Sequence, residues 1–322
     1  MASVREIARH AGVSKATVSR VLTGYQYVSR NTRNLVLKSA RDLGHVFQRS
    51  IAIIIPNYPN FAGYLGIMLS ALQEEIKRNG YAAYILFERD YYGLDETLTD
   101  GAIAVLGNVG LEQQWGCQHP TIPLVCINSA ANQLDRILKV SSDNRQGVFL
   151  ALEYLAKHGH QRIAMLRIPQ VPEGTSSQDV QERESAFLEW HKLHANHEPL
   201  PILNYPDDGT EHSFTHWHEL GCTAILCPSE GVQLPVLSKL GKMQVRVPQE
   251  LSVLSWEHPS VSPFTVPPMT TISQDFPGLS ALAMQKLLAR IHIQPIPATE
   301  LLPYQLVERQ TVASPPPLPS QP

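Results

Sequence analysis

Ser3-Val-Arg-Glu-Ile-Ala-Arg-His-Ala-Gly-Val-Ser-Lys-Ala-Thr-Val-Ser-Arg-Val-Leu22 decides how the rest of the chain is read. Ser3 with Glu6 three residues on has the spacing of a capping box, which satisfies the first free amides of a helix. Ile7, Ala8 and Ala11 follow at helical spacing, and Gly12 ends the segment. Ser14 is a second N-cap, and Val18, Val21 and Leu22 give the next helix its buried side. Lys15, Ala16, Ser19 and Arg20 are left facing outward. Two short helices around a tight turn make a helix-turn-helix whose second member suits a major groove. The plainer alternative is a helical hairpin with ordinary surface charge.

Charge segregation favours the groove reader. Residues 1–49 hold nine basic side chains (Arg5, Arg9, Lys15, Arg20, Arg30, Arg33, Lys38, Arg41 and Arg49) against Glu6 and Asp42, a balance of +7. The whole chain of 322 residues stands at −3, so the remainder carries −10. A basic module on an acidic body is the footprint of a nucleic-acid partner. Arg20 can grip a guanine edge through two hydrogen bonds, and Ala16 suits a thymine methyl.

Ser29 opens a third helix, with Leu35, Val36, Ala40 and Leu43 on one side and Gly44 as its stop. Only His45-Val-Phe-Gln-Arg-Ser50 separates it from Ile51-Ala-Ile-Ile-Ile55, which reads as a buried parallel strand. From there strands and helices alternate. Strands are expected at 51–55, 81–87, 102–106, 124–127, 163–166, 224–227 and 251–255, with helices near 64–79, 147–158, 181–194 and 232–240. Such alternation predicts an α/β body of parallel sheets with helices on both faces.

The first stretch, continued by Val28-Ser-Arg-Asn-Thr-Arg33, resembles the DNA-binding head of the LacI/GalR family of bacterial repressors. The body resembles that family's periplasmic-binding-protein-like core at Thr99-Asp-Gly-Ala-Ile103, Ile122-Pro-Leu-Val125, Ser142-Asp-Asn144, His158-Gly-His-Gln-Arg-Ile-Ala164 and Pro268-Met-Thr-Thr-Ile272. The resemblance implies base reading by Lys15, Ala16 and Arg20, and phosphate contacts from Thr17, Ser19, Ser29, Thr32 and Arg33. It implies a head over 1–49 and a two-lobed effector-binding and dimerisation body over 50–313. Lobe 1 would take 50–141 and 274–295, and lobe 2 would take 142–273 and 296–313. The chain would pass between lobes near Ser141, Ser273 and Ile296. Between Phe87 and Thr99 the sequence is short for a full helix.

One departure is plain. The family join normally carries a further dozen or so residues that fold into a hinge helix on DNA and wedge the minor groove. Here six residues remain, with a reach of about 20 Å. Groove bending by such a wedge does not carry over.

A small polar effector of the sugar or nucleoside class is implied between the lobes. The matching positions are Arg183, Glu257, where an aspartate is usual, and Asn128, which replaces another aspartate. Pro228-Ser-Glu230 stands where Asn-Asp is usual. Tyr58, Phe61 and Trp256 offer flat faces against a ring. For Arg183 and Glu257 the alternative is an ion pair or two solvated charges; for the aromatics it is core packing.

The remaining motifs exclude other classes. No glycine-rich dinucleotide fingerprint or Walker motif follows a strand, so no cofactor is expected. No nucleophile elbow supports an enzyme. His191, His194 and His197, with His212, His216 and His218, read as solvated imidazoles and not as a metal site. Cys117, Cys126, Cys222 and Cys227 form no close pair and fit a reduced, cytoplasmic protein. No apolar run is long enough for a bilayer. The tail Ser314–Pro322 is proline-rich and expected to be disordered. No leucine heptad supports a tetramer.

Two functions follow. The first is a dimeric, sequence-specific transcription regulator, a repressor by resemblance, working on a double-stranded DNA operator. The second is a ligand-binding module whose head has lost DNA binding along with the hinge segment.

Overall fold

The capping box at Ser3 forms. Its hydroxyl accepts the Glu6 amide at 3.3 Å, and the Glu6 carboxylate accepts the Ser3 amide at 2.7 Å. That hydrogen bond to the Ser3 backbone holds the Glu6 carboxyl below the ordinary carboxylate range. The computed structural model describes residues 3–22, 27–44, 50–57, 63–94, 99–107, 109–129, 137–167, 178–194, 200–206 and 212–315.

Helix α1 (Val4–His10) gives way at Gly12, whose φ of +64° suits a residue without a side chain. Helix α2 (Lys15–Leu22) is capped by Ser14, which accepts the Thr17 amide at 3.0 Å. Helix α3 (Arg30–Asp42) is capped in the same way by Ser29 from Thr32. Ile7, Ala8, Ala11, Val18, Val21, Val36, Leu37 and Ala40 form the core of this head. Leu37 takes the inward place expected of Leu35, which is 47% exposed. The join at 45–49 and the tail at 316–322 lie outside the described residues.

The body starts at β1 (Ser50–Ile55), buried along its whole length, then α4 (Tyr64–Arg78) and β2 (Ala82–Phe87). A 3-10 turn at Glu88–Gly93 stands in the short Phe87–Thr99 connection. Next come β3 (Thr99–Val105), α5 (Val109–Gln118), β4 (Leu124–Ile127) and β5 (Leu138–Ser142). The chain then enters a second unit: α6 (Asn144–Lys157), β6 (Ile163–Arg167), α7 (Gln178–His194), β7 (Leu203–Asn204), β8 (Ala224–Cys227), α8 (Gln233–Lys242), β9 (Ser252–Trp256) and β10 (Thr270–Ser273). It returns for α9 (Phe276–Ile291) and β11 (Thr299–Leu302) and ends on β12 (Gln305–Val307).

Among the described residues, two six-stranded sheets result. The first runs β11-β5-β4-β3-β1-β2, parallel throughout. The second runs β12-β10-β9-β8-β6-β7, parallel apart from β12. Helices α4 and α9 cover one face of the first sheet through Met68, Leu72, Leu279 and Leu287. The Trp115 side of α5 covers the other face. In the second lobe, α6 and α7 cover one face through Leu152, Phe187 and Trp190, and α8 covers the other through Val236 and Leu240.

One expected lobe bound needs correction. Strand β11 pairs with β5 in the first sheet, Leu301 opposite Ser141. The third passage accordingly falls at Pro303 and Tyr304, not near Ile296. The first two fall at Asp143 and Gln274, beside the expected Ser141 and Ser273.

Candidate DNA-reading head and interlobe site

On α2, Lys15, Ala16, Ser19 and Arg20 are exposed, while Val18 and Val21 are buried behind them. Thr17 is half-buried and its hydroxyl lies 2.8 Å from that of Ser14. Ser29 and Thr32 pair through their hydroxyls at 2.7 Å at the start of α3, with half-buried Arg33 one residue on. All eight expected contact residues thus sit on or at the start of α2 and α3. Tyr27, 86% exposed just before α3, joins this surface and was not singled out from sequence.

In the body, polar side chains from both lobes meet at the carboxyl ends of the strands, where open α/β sheets place their ligands. Asn128 follows β4 with φ +46°, a left-handed turn asparagine tolerates. Its amide nitrogen donates to the Tyr64 hydroxyl at 2.8 Å and to the Gln274 side-chain oxygen at 2.9 Å. Its oxygen accepts the Ser142 amide at 2.9 Å, and the Ser142 hydroxyl donates to Gln274 at 2.9 Å. Burial pushes the Tyr64 hydroxyl well above its ordinary range.

Arg183, 7% exposed on α7, anchors the second-lobe side. Nε donates to Asn144 Oδ1 at 2.9 Å, Nη1 to the Pro228 carbonyl at 2.7 Å and Nη2 to the Tyr304 hydroxyl at 3.1 Å. The guanidinium lies over Trp256, 4.8 Å from the ring. Burial works against its charge; Tyr304, Asp179 and Glu230 outweigh that and keep it protonated. Asp179 and Glu182 share the Asn144 amide nitrogen, at 2.9 and 2.8 Å. Burial raises the Asp179 carboxyl, with Arg183 pulling the other way. From across the lobes, Glu230 Oε1 accepts the Tyr64 amide at 3.2 Å.

The expected site residues separate on inspection. Asn128 and Arg183 belong to this polar assembly. Trp256 is 2% exposed and forms its floor, edge-on to Tyr304 at 5.8 Å. Glu257 is engaged in an ion pair with Arg309. Arg309 donates to both its oxygens at 2.9 Å and Thr271 donates to one of them, so three of its acceptor sites are engaged inside the second lobe. Tyr58 and Phe61 lie outside the described residues. Asn144, Asp179, Gln274 and Tyr304 went unread, although Asn144 stands in a quoted motif and Asp179 lies one helical turn before Arg183. Among the described residues no three histidine, cysteine or acidic side chains group as a metal site. No described helix is long and apolar enough to cross a membrane.

A basic helix-turn-helix head followed by two parallel-sheet lobes with a polar junction defines a DNA-binding regulator with a sensor body. Comparison with known proteins agrees. The profile described as bacterial regulatory proteins, lacI family, matches residues 3–46, and that of the periplasmic binding protein-like domain matches residues 152–312. The transcriptional regulator reg1 of Streptomyces lividans is 26% identical, with 96% of each chain covered. The ribose operon repressor of Halalkalibacterium halodurans is 26% identical over 97% of each. A solved Lac repressor dimer bound to operator and an anti-inducer superposes with TM-score 0.67 at 21% identity, covering 97% of this chain and 99% of that one. The chain belongs to the LacI family of bacterial regulatory proteins, and it is a sequence-specific DNA-binding transcriptional regulator.

Proposed function

We propose that the protein is a cytoplasmic homodimeric repressor whose operator affinity is set by a small polar effector held between the lobes. Arg183 and Asn128, supported by Trp256, are the expected contacts. One observation carries the reading: buried polar groups of both lobes converge on the three interlobe passages, through Ser142 and Asn144, Gln274, and Tyr304. A ligand seated there biases the angle between the lobes, and differential affinity for two angles is what a switch requires. Relatives support the class: one is named a ribose operon repressor and a solved neighbour is a CelR–cellobiose complex.

Lys15, Ala16 and Arg20 read bases, while Thr17, Ser19, Ser29, Thr32 and Arg33 hold phosphates. A single head contacts too few base pairs for tight binding, so two heads on a near-palindrome are required. Phe264, 78% exposed, and Val266, 90% exposed, lie close together after β9 and supply an apolar patch for a second copy. With only residues 45–49 between Gly44 and β1, coupling acts through head spacing and tether strain.

Selecting duplexes from a random pool with the full chain tests the reading, followed by titration of the selected duplex with and without sugars and nucleosides. An enriched motif whose affinity shifts with one of them supports it. No enrichment at moderate ionic strength, with no loss of random-duplex binding as salt rises, favours the module without DNA binding.

A further inference from the structure

We infer that Glu230 is a latch that holds the two lobes together in the unliganded chain, by capping α4 from the opposite lobe. Helix α4 opens without a cap of its own. Its N-cap is Gly63, which has no side chain to offer, and its first turn carries no acidic residue. The first amide with a partner inside the helix is that of Ile67, which donates to the Gly63 carbonyl at 3.2 Å. The amides before it need acceptors from elsewhere. Glu230 Oε1 takes the Tyr64 amide at 3.2 Å, from the segment that follows β8 in the second lobe. A carboxylate at a helix N-terminus also meets the positive end of the helix dipole.

The contact is close, and both sides of it are anchored. Gly63 has a φ of +69°, and a methyl built on it would stand 3.2 Å from Glu230 Oε1 and 3.8 Å from its Cγ. Glycine here lets the carboxylate lie against the backbone. On the second-lobe side the residues before Glu230 are pinned. The Pro228 carbonyl accepts Arg183 Nη1 at 2.7 Å, the Ser229 carbonyl accepts the Ser255 hydroxyl at 3.1 Å, and the Ser229 hydroxyl accepts the Gly231 amide at 3.3 Å. On the first-lobe side the Tyr64 hydroxyl accepts from Asn128 at 2.8 Å, and its ring lies 5.6 Å from that of Phe276. With both ends held, parting the lobes breaks the bond.

Its strength suits a switch. Removing an N-cap acceptor shifts an equilibrium about fivefold. Repulsion limits the bias further: burial raises the Asp179 carboxyl, and the nearby charge of Glu230 adds to that rise. Opening relieves this opposition. The latch therefore favours the closed body without locking it, and a ligand with a modest preference for another lobe angle overrides it.

The test uses the full chain without ligand. Spin labels on Glu74→Cys and Ser238→Cys, one in each lobe and both at exposed positions, report the separation of the lobes. Cys117, which is exposed, is first replaced by serine, and labelled chain is diluted into unlabelled chain so that distances within one protomer are read. Hydrogen exchange follows the amides of Tyr64 to Ile67. Glu230→Ala is expected to lengthen the separation and to speed exchange in that turn about fivefold. Glu230→Gln keeps an acceptor oxygen at the same reach and should hold the wild-type separation. Thermal melting of each variant near the wild-type temperature secures the comparison.

An alanine variant with the wild-type separation overturns the latch, even where exchange quickens, because Glu230 would then be a cap and nothing more. A glutamine variant that opens as far as the alanine variant overturns it too, since the acceptor would not be what holds the lobes. The consequence for DNA rests on the interlobe reading proposed above: a body opened by Glu230→Ala should bind the selected duplex with altered affinity. Wider lobes with unchanged operator affinity leave the latch standing and sink that reading. Operator affinity that answers an effector, with the separation fixed in the alanine variant, does the reverse.

Discussion

Arg309 grips Glu257 through two parallel hydrogen bonds of 2.9 Å, joining the residue after β9 to the segment after β12. Both side chains are largely buried, with 17% and 6% of their surface exposed. A pair like this stabilises little relative to a well-packed apolar substitute, yet breaking it strands a charge. Arg309→Ala should lower unfolding free energy by about 3 kcal/mol, with Glu257→Gln in the same background recovering part of the loss. Urea unfolding of the two variants and their combination measures the coupling. Additive losses would show that the pair has no such role.

The two arginines of the head make different predictions. Arg20 projects from the exposed side of α2, and Arg33 sits near the start of α3. Arg20→Ala should cost about 1–3 kcal/mol on the best duplex and flatten preference at one position. Arg33→Ala should weaken all duplexes alike and reduce the salt slope by about one. Binding curves over salt on the selected and a scrambled duplex separate these outcomes. Equal loss of preference in both variants would undo the assignment.

The head was legible because its determinants are local. Ser3 with Glu6, Gly12 and Ser14 sit within a few residues of what they fix. Buried strands that are apolar runs were legible, whereas β5 and β10, built largely of Ser, Thr and Lys, were not. Strand β11 was not, because Thr299-Glu-Leu-Leu302 is an edge strand with mainly exposed side chains and shows no such run. Leu35 and Leu37 are equally apolar, and only packing decides which turns inward. The pairing of Glu257 was not legible for a related reason: its partner is Arg309, far along the chain, and pairing at that distance leaves no local mark. Asp179, Gln274 and Tyr304 likewise acquire meaning only when the passages between lobes bring them together.

Dimerisation through the loop after β9 is tested by charge. Phe264→Asp should shift the chain towards monomer, and operator affinity should fall by tenfold or more, about 1.4 kcal/mol, because only one head then binds. Sedimentation velocity over a concentration series gives the assembly state, and thermal melting reports whether the fold is intact. Since Phe264 is 78% exposed, little loss of monomer stability is expected. An unchanged sedimentation coefficient would place the interface elsewhere.

His160 makes stability depend on pH in a defined direction. It is buried between the Thr223 hydroxyl at 2.9 Å and the Ala313 carbonyl at 2.8 Å. Burial lowers its pKa from the ordinary 6.5, the Ala313 carbonyl opposing and His158 reinforcing. The unfolded chain therefore takes up this proton first as pH falls. Stability from the neutral ring is full above 6.5 and declines below it, until the folded form is protonated as well. Asp179 and Glu112, raised by burial, slope the other way at lower pH, so the comparison must be with a variant. His160→Gln should be less stable at neutral pH and show a shallower decline between about pH 7 and 5. Parallel curves for the two proteins would remove His160 from the acid response.

Gly147 lies inside α6 directly beneath Tyr304. A methyl added there would stand 2.6 Å from the tyrosine ring. The ring has little freedom to yield, because Gln146 accepts its amide at 2.8 Å while Asn144 and Arg183 hold its hydroxyl. Helix propensity alone makes Gly147→Ala favourable by about 1 kcal/mol. Overpacking in a filled core costs about 1–3 kcal/mol, so the net change should be a loss. The sign should invert once the ring is gone: in a Tyr304→Ala background, Gly147→Ala should stabilise, by up to about 1 kcal/mol. Urea midpoints of the four combinations measure this. Because Tyr304 also sits on the third passage between lobes, Gly147→Ala alone should blunt the shift in operator affinity that an effector produces. A stabilising Gly147→Ala in the wild-type background would mean that Tyr304 moves aside freely and does not tie the passages together.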